Sequence, residues 1–178
     1  MKFEKLSIPG LYLLTLDSHL DERGFFLERH RDEWFREQGI EVGFVQDNHS
    51  QSKKGVLRGL HFQSKPKEQD KLVWVVRGKI WDVAVDIRKD SKTFGKYEAV
   101  ELSEENQQMF FIPKGFAHGF VTLSEKADVL YKTSEYYSKK NDKGLLWNDP
   151  EVGIKWPMEN PIVSEKDSRL PSLKHAIN

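Results

Sequence analysis

The sequence predicts an all-β fold, a jelly-roll barrel of short strands with short peripheral helices, on three observations. Runs rich in β-branched and aromatic residues recur through the middle of the chain, separated by Gly, Pro, Ser and Asn turn signals. Over residues 80–87 the side chains alternate with period two, the mark of a strand with two distinct faces. Convincing helical character is confined to residues 32–38. With 178 residues, evenly spread turn signals and no repeat, low-complexity tract or linker, one domain over residues 1–178 is expected. It would carry an N-terminal strand segment and a C-terminal extension.

Taken in order, the N-terminal segment has charges at Lys2, Glu4 and Lys5 and a Pro9-Gly10 break, so it holds no apolar run suited to a signal peptide or a membrane span. The short helix has Asp32 placed to cap its start and Gly39 to end it. Residues 73–76, an Arg77-Gly78 turn and residues 80–87 predict a hairpin. In its second half Trp81, Val83, Val85 and Ile87 share one face, and Asp82, Ala84 and Asp86 the other. Further strands are expected at residues 97–102, 108–112, 116–123 and 128–134. Beyond Tyr137 the chain turns polar over residues 138–144. Trp147-Asn148-Asp149-Pro150 and Trp156-Pro157 then read as an ordered extension packed by its tryptophans.

The 28 Lys and Arg residues cancel the 28 Asp and Glu residues. No whole-molecule field draws the chain to nucleic acid or an anionic membrane, so neither is expected as a partner, and anion recognition must be local. A cytoplasmic protein is expected. The absence of cysteine excludes disulfides, thiolate metal sites and cysteine nucleophiles.

Two motifs carry chemistry. Arg58-Gly59-Leu60-His61-Phe62-Gln63 and Pro113-Lys114-Gly115-Phe116-Ala117-His118 form the two halves of a cupin pattern. A metal-binding cupin would supply a second histidine two positions after His61, where this chain has Gln63. The nearest following carboxylate is Glu68, and His118 stands alone in its motif. A divalent ion wants three or four convergent N and O ligands, so no metal is expected and the barrel would use its own side chains for acid and base chemistry. Alternation puts Tyr131 on a face with Val129 and Thr133, and His118 with Phe120 and Thr122. Arg58 and His61, an odd number apart, would face opposite ways unless Gly59 marks a bulge that brings both inward.

Residues 23–167 resemble the dTDP-4-dehydrorhamnose 3,5-epimerase family, metal-independent cupins of bacterial deoxysugar synthesis. The resemblance rests on Asp21-Glu22-Arg23-Gly24-Phe25-Phe26-Leu27-Glu28, Val45-Gln46-Asp47-Asn48, the stretch from Gly55 to Gln63, Lys71-Leu72-Val73, Asp82-Val83-Ala84-Val85-Asp86, the stretch from Pro113 to Phe120, Leu130-Tyr131-Lys132-Thr133, Trp147-Asn148-Asp149-Pro150 and Ser164-Glu165-Lys166-Asp167. It implies a cofactor-free epimerase that turns dTDP-4-keto-6-deoxy-D-glucose into dTDP-4-keto-L-rhamnose. Hydrogens on carbons 3 and 5 lie alpha to the 4-keto group, so a base removes them if the enolate is stabilised, and inversion needs a proton from the opposite ring face. On this resemblance His61 is the base, Asp167 its orienting carboxylate, Tyr131 the opposing acid and Lys71 the cation at the developing oxyanion. Substrate contacts are implied for Arg23, Glu28, Gln46, Asn48, Arg58, His118, Asp142 and Lys166, and stacking on thymine for Tyr137. A homodimer with exchanged strands is also implied. The chain departs from the family at Asp142, where glutamate is usual, at Asp70, where glycine is common, and at Trp74, where arginine is common.

Taken singly these residues have plainer readings. His61 and His118 would be structural histidines, Tyr131 packing, and Lys71 and Lys166 solvated lysines. Arg23 would hold the Asp21 turn, and Arg58 would pair with a core carboxylate such as Asp82. Glu28, Gln46 and Asn48 would serve turns and strand edges, and either Tyr136 or Tyr137 could be the stacking ring. An epimerase acting at one carbon only, or a nucleotide-sugar-binding cupin without turnover, are the competing functions.

Overall fold

A computed structural model describes residues 1–177 and builds two facing sheets from most of its strands. The N-terminal third holds β1 (Lys2–Lys5), β2 (Tyr12–Thr15), β3 (Ser18–Asp21), β4 (Gly24–Leu27) and α1 (Asp32–Glu37). The barrel strands follow as β5 (Gln46–Lys53), β6 (Val56–Gln63), β7 (Lys71–Arg77), β8 (Lys79–Asp86), β9 (Tyr97–Ser103), β10 (Gln108–Ile112), β11 (Phe116–Thr122) and β12 (Lys126–Thr133). The extension adds β13 (Asp142–Gly144), β14 (Ile162–Val163), α2 (Glu165–Ser168) and α3 (Leu173–Ala176). One sheet runs β1-β2-β10-β7-β12-β5. The other runs β13-β6-β11-β8-β9 with β14 added parallel to β6, while β3 and β4 pair only with each other. Among the described residues no helix is long and apolar enough to cross a membrane.

Between the sheets, Val73, Val75, Phe110 and Val129 of the first meet Ile80, Ala84, Leu102 and Phe120 of the second. The outer faces are covered too. Phe35 of α1 seals Leu72, Trp74, Met109 and Phe111 on one side. Leu145, Val152 and Leu173 of the extension seal Val83, Val85 and Ala117 on the other, with Trp81 and Trp156 packed alongside. Trp156 also donates its indole N–H to the Trp147 backbone carbonyl at 2.9 Å, so it is the Trp156 ring that packs the extension.

The expected hairpin across Arg77-Gly78 is not formed. β7 pairs with β10 and β12, whereas β8 pairs with β9 and β11, so this turn carries the chain from one sheet to the other. Residues 71–75 are buried without alternation, as a strand covered on both faces must be. Gly78 makes the tight crossing possible: its φ is +77°, and a Cβ there would stand 2.0 Å from the Lys126 carbonyl oxygen. The face assignment within β8 does hold, with Ala84 in the inter-sheet core and Val83 and Val85 under the extension.

Asp32 is not the cap of α1 but its first residue. Arg31 occupies the cap position with no side-chain hydrogen bond, and Asp32 and Glu33 instead place negative charge in the first turn, where the helix dipole favours it. Gly39 ends the helix as expected, at φ +72° with its N–H on the Arg36 carbonyl.

β5 has no apolar alternation to announce it. Gln46–Lys53 is wholly polar, and it forms a strand because eight residues of β12 supply its backbone partners in continuous register. As the sheet's edge it needs no second apolar face. Its inward side chains are thereby free to line a cleft.

Candidate active site

The cleft lies between β5, the edge of one sheet, and β6, beside which only β13 and β14 continue the other. Two adjoining cavities of about 490 Å³ and 260 Å³ share His61, Lys71 and Tyr131 on their common wall. The first also gathers Arg58, His118 and Asp167; the second gathers Gln46, Asn48, Tyr137, Asp142 and Lys166. A larger hollow of about 810 Å³, against Arg88 and Phe116 at the barrel end, touches only Lys71 of these residues and so lacks base, carboxylate and phenol.

Gly59 brings Arg58 and His61 into the same cavity. Between the β11 positions that face them, His118 and Phe120, the chain advances two residues, while β6 advances three, from His61 back to Arg58. The extra residue is a bulge. Gly59 sits at φ +133°, and a Cβ on it would lie 2.6 Å from Gly119 Cα, so only glycine permits this approach of β6 to β11. Arg58 does not reach Asp82. It donates to Ser52 Oγ at 2.9 Å and to the Gln51 carbonyl at 3.2 Å, holding its guanidinium at the rim.

β14 pairs in parallel with the start of β6 and so delivers α2 to the bulge. Ser164 caps α2 by accepting the Asp167 N–H at 3.0 Å, and Asp167 points inward. One of its oxygens lies 3.1 Å from His61 Nε2, and the other accepts the Gly59 N–H at 3.1 Å. Burial pushes the Asp167 carboxyl up. The imidazole, the Gly59 N–H and the Ser164 hydroxyl outweigh this and hold it below the usual carboxylate range, as an anion. His61 Nδ1 has no hydrogen-bond partner among the described residues.

Lys71 is no solvated lysine. It is buried at the start of β7, with Nζ donating to the His61 carbonyl at 3.3 Å. Burial lowers its pKa to about 8, against the opposing pull of the Asp82 and Asp142 carboxylates. Tyr131 packs against the inter-sheet core beside Val129. Burial raises the phenol, Asp142 adds to the rise and Arg58 opposes it, so the ring stays protonated at neutral pH. His118, directly across the ladder from His61, bonds Asp82 at 2.6 Å.

At the mouth of the second cavity Asp142 accepts from Lys166 Nζ at 2.6 Å and from the Tyr137 hydroxyl at 3.2 Å. This bond raises Lys166, so its cation persists. Tyr137 lines the cavity and Tyr136 does not, which separates the two rings. The other departures are structural: Asp70 accepts from the Lys114 N–H and the Ser134 hydroxyl, and Trp74 lies in the packing under α1.

Arg23 and Glu28 are not brought to either cavity of this chain. Arg23 grips Asp21 within the exposed β3–β4 hairpin, as its plainer reading held, and Glu28 pairs with Arg31. Conversely, Ser50, Leu57 and Ser164 line the first cavity unanticipated. Only Ser164 had a signal, the Ser-x-x-Asp spacing of a helix cap. Among the described residues no three His, Asp or Glu side chains converge as metal ligands; His61 and His118 each face a single carboxylate.

An imidazole held by a carboxylate, a protonated phenol and a buried cation around one cleft can remove a proton beside a carbonyl and return one. Residues 5–175 match the family described as dTDP-4-dehydrorhamnose 3,5-epimerase. A protein of that name from Methanothermobacter thermautotrophicus is 50% identical over 97% of this chain and 95% of its own, and one from Shigella flexneri is 51% identical over 94% and 93%. A dTDP-6-deoxy-D-glucose-3,5-epimerase from Legionella pneumophila, solved in complex with dTDP-4-keto-L-rhamnose, superposes with a TM-score of 0.94 at 45% identity, covering 98% of this chain and 93% of its own.

Proposed function

This chain belongs to the dTDP-4-dehydrorhamnose 3,5-epimerase family, an isomerase family, and from that premise we propose that it inverts carbons 3 and 5 of dTDP-4-keto-6-deoxy-D-glucose without a metal or other cofactor. The observation that carries the proposal is the wall shared by the two cavities, where His61, Lys71 and Tyr131 meet. The base is His61, which takes the proton alpha to the ketone while Asp167 stabilises the imidazolium that forms. The Lys71 ammonium receives the negative charge that develops on the carbonyl oxygen. Tyr131 then protonates carbon from the other face of the ring.

The second cavity takes the nucleotide half on this reading. Tyr137 provides a face for thymine, and Arg58, on the wall of the first cavity, a guanidinium for the diphosphate where the ligand passes between the two. Gln46, Asn48, Asp142 and Lys166 supply polar contacts, and His118 closes the sugar end. We further propose that the active species is a homodimer acting in the cytoplasm. The β3–β4 hairpin holds Leu20, Phe25 and Phe26 at 79%, 58% and 72% exposure, an apolar patch open to solvent in one chain. A second copy would bury it and bring Arg23 and Glu28 to the neighbouring cleft.

Incubation with dTDP-4-keto-6-deoxyglucose in heavy water, read by NMR, tests the chemistry. Deuterium should enter at both carbons. Incorporation at one carbon alone would make this a single-site epimerase, and none at all, in a sample that binds dTDP, would refute turnover. Tyr131→Phe should retain more hydrogen exchange than net inversion, because the base can still return its proton to the face it came from.

A further inference from the structure

Gln63 occupies the place where the metal-binding pattern has its second histidine, and its amide is fully employed elsewhere. The side chain is 6% exposed. Its Nε2 donates to the Lys67 carbonyl at 2.6 Å and to the Tyr136 carbonyl at 3.2 Å, and its Oε1 accepts the Ser138 N–H at 2.6 Å. Two of these groups, the Tyr136 carbonyl and the Ser138 N–H, lie immediately before and after Tyr137. They belong to the connection between β12 and β13, which has no strand partner of its own. One amide therefore does for this stretch what a neighbouring strand does elsewhere.

The tyrosine ring needs such help because packing does not hold it. Tyr137 is 58% exposed, and its remaining ties are its own N–H to Gln46 Oε1 at 3.0 Å and its hydroxyl to Asp142. Asp142 depends on the same position, since its backbone pairs with Gln63 in the β13–β6 ladder. Only an amide can make all three bonds. A glutamate would turn two donated bonds into carboxylate–carbonyl repulsions, and a neutral histidine has a single donor.

We propose that Gln63 is a positioning residue for nucleotide binding, clamping the backbone on both sides of Tyr137 so that the ring is set before the ligand arrives. The inference rests on the reading of Tyr137 as the nucleotide-stacking ring. A preset ring avoids the ordering cost that a loose one would pay on binding, so its loss falls on affinity and not on the chemical step.

The test uses the full chain as Gln63→Glu, Gln63→Leu, Tyr137→Ala and the Gln63→Glu/Tyr137→Ala double variant. Dissociation constants for dTDP come from calorimetry, and kcat and KM from turnover of the nucleotide sugar. Both Gln63 variants should raise the dTDP Kd and the KM about tenfold with kcat within about twofold, and Gln63→Glu should add nothing on the Tyr137→Ala background. The Tyr137 and Ser138 amides should exchange faster with solvent in Gln63→Glu, whose near-identical shape keeps the test usable if the leucine variant fails to fold. Unchanged Kd in both Gln63 variants while Tyr137→Ala weakens binding, an equal further loss in the double variant, or a fall in kcat at constant KM would each overturn the role of Gln63. Unchanged Kd in Tyr137→Ala would instead overturn the stacking assignment on which it rests.

Discussion

Two histidines face the same cavity from neighbouring strands, each bonded to a carboxylate, and their surroundings differ. His61 is 30% exposed at its side chain, lies 3.1 Å from Asp167, and stands on a bulged strand. His118, its cross-strand neighbour, is 8% exposed and lies 2.6 Å from an Asp82 that solvent does not reach. The carboxylates differ as much as the rings. Asp167 is further satisfied by the Gly59 N–H, while the second oxygen of Asp82 has no partner among the described residues and contributes its field to Lys71. Residue type does not make a general base. The His61 ring is partly exposed and its carboxylate has a second donor, whereas the His118 ring is buried against a carboxylate for which it is the one hydrogen-bond partner found among the described residues.

Replacing His61 should have the largest effect on activity. His61→Asn is expected to lower both hydrogen exchange and turnover on the order of 10³-fold or more, with little change in stability. Near-native exchange in that variant would erase the distinction between the pairs. Lys71 comes next, since it touches the backbone of one pair and feels the charge of the other. Its free-enzyme pKa of about 8 means that the ammonium is present below that pH and lost above it. The pH profile of kcat/KM should therefore bend downward near pH 8, and Lys71→Arg should move the bend to higher pH. The same shift has a stability consequence of definite sign. A lysine whose pKa falls on folding leaves the unfolded chain with more bound protons between pH 8 and 10.5, so stability rises with pH across that window. Lys71→Met should accordingly resist denaturant better than the parent at pH 7, by up to about 3 kcal/mol, with the advantage closing towards pH 10.5. Equal midpoints at both pH values would show that the ammonium is better solvated than its burial implies.

The smallest effect on activity belongs to His118, and it should appear in stability instead. His118→Leu strips Asp82 of its partner and is expected to cost roughly 3 kcal/mol or more of folding free energy, measured by denaturant unfolding. Catalysis at temperatures where the variant is folded should fall by less than about tenfold. A loss as deep as that of His61→Asn would make the second pair a participant in proton transfer and not a scaffold.

Much of this was legible in the chain. Runs of β-branched and aromatic residues bounded by turn residues located the strands from β8 to β12 to within two residues, because such side chains pack well on a pleated surface while Gly, Pro, Ser and Asn break it. The residues quoted for the family resemblance include all those that meet on the shared wall, since the donor and acceptor requirements of the reaction restrict side-chain type. Gly59 announced its bulge because glycine alone tolerates that backbone and that close approach.

What local pattern could not reveal was which strand pairs with which, and what lies opposite. Alternation is identical whether a turn closes a hairpin or crosses to another sheet, so Arg77-Gly78 has the sequence of a hairpin turn and the place of a crossing. β5 has no apolar code at all, and only the backbone hydrogen bonds offered by β12 make it a strand. Arg23 and Glu28 carry suitable chemistry yet lie outside the cleft of their own chain. Composition and spacing dictate which groups are available and which face of a strand they occupy. Their meeting depends on hydrogen bonds and burial between segments far apart in sequence, and those energies exist only once the chain has folded.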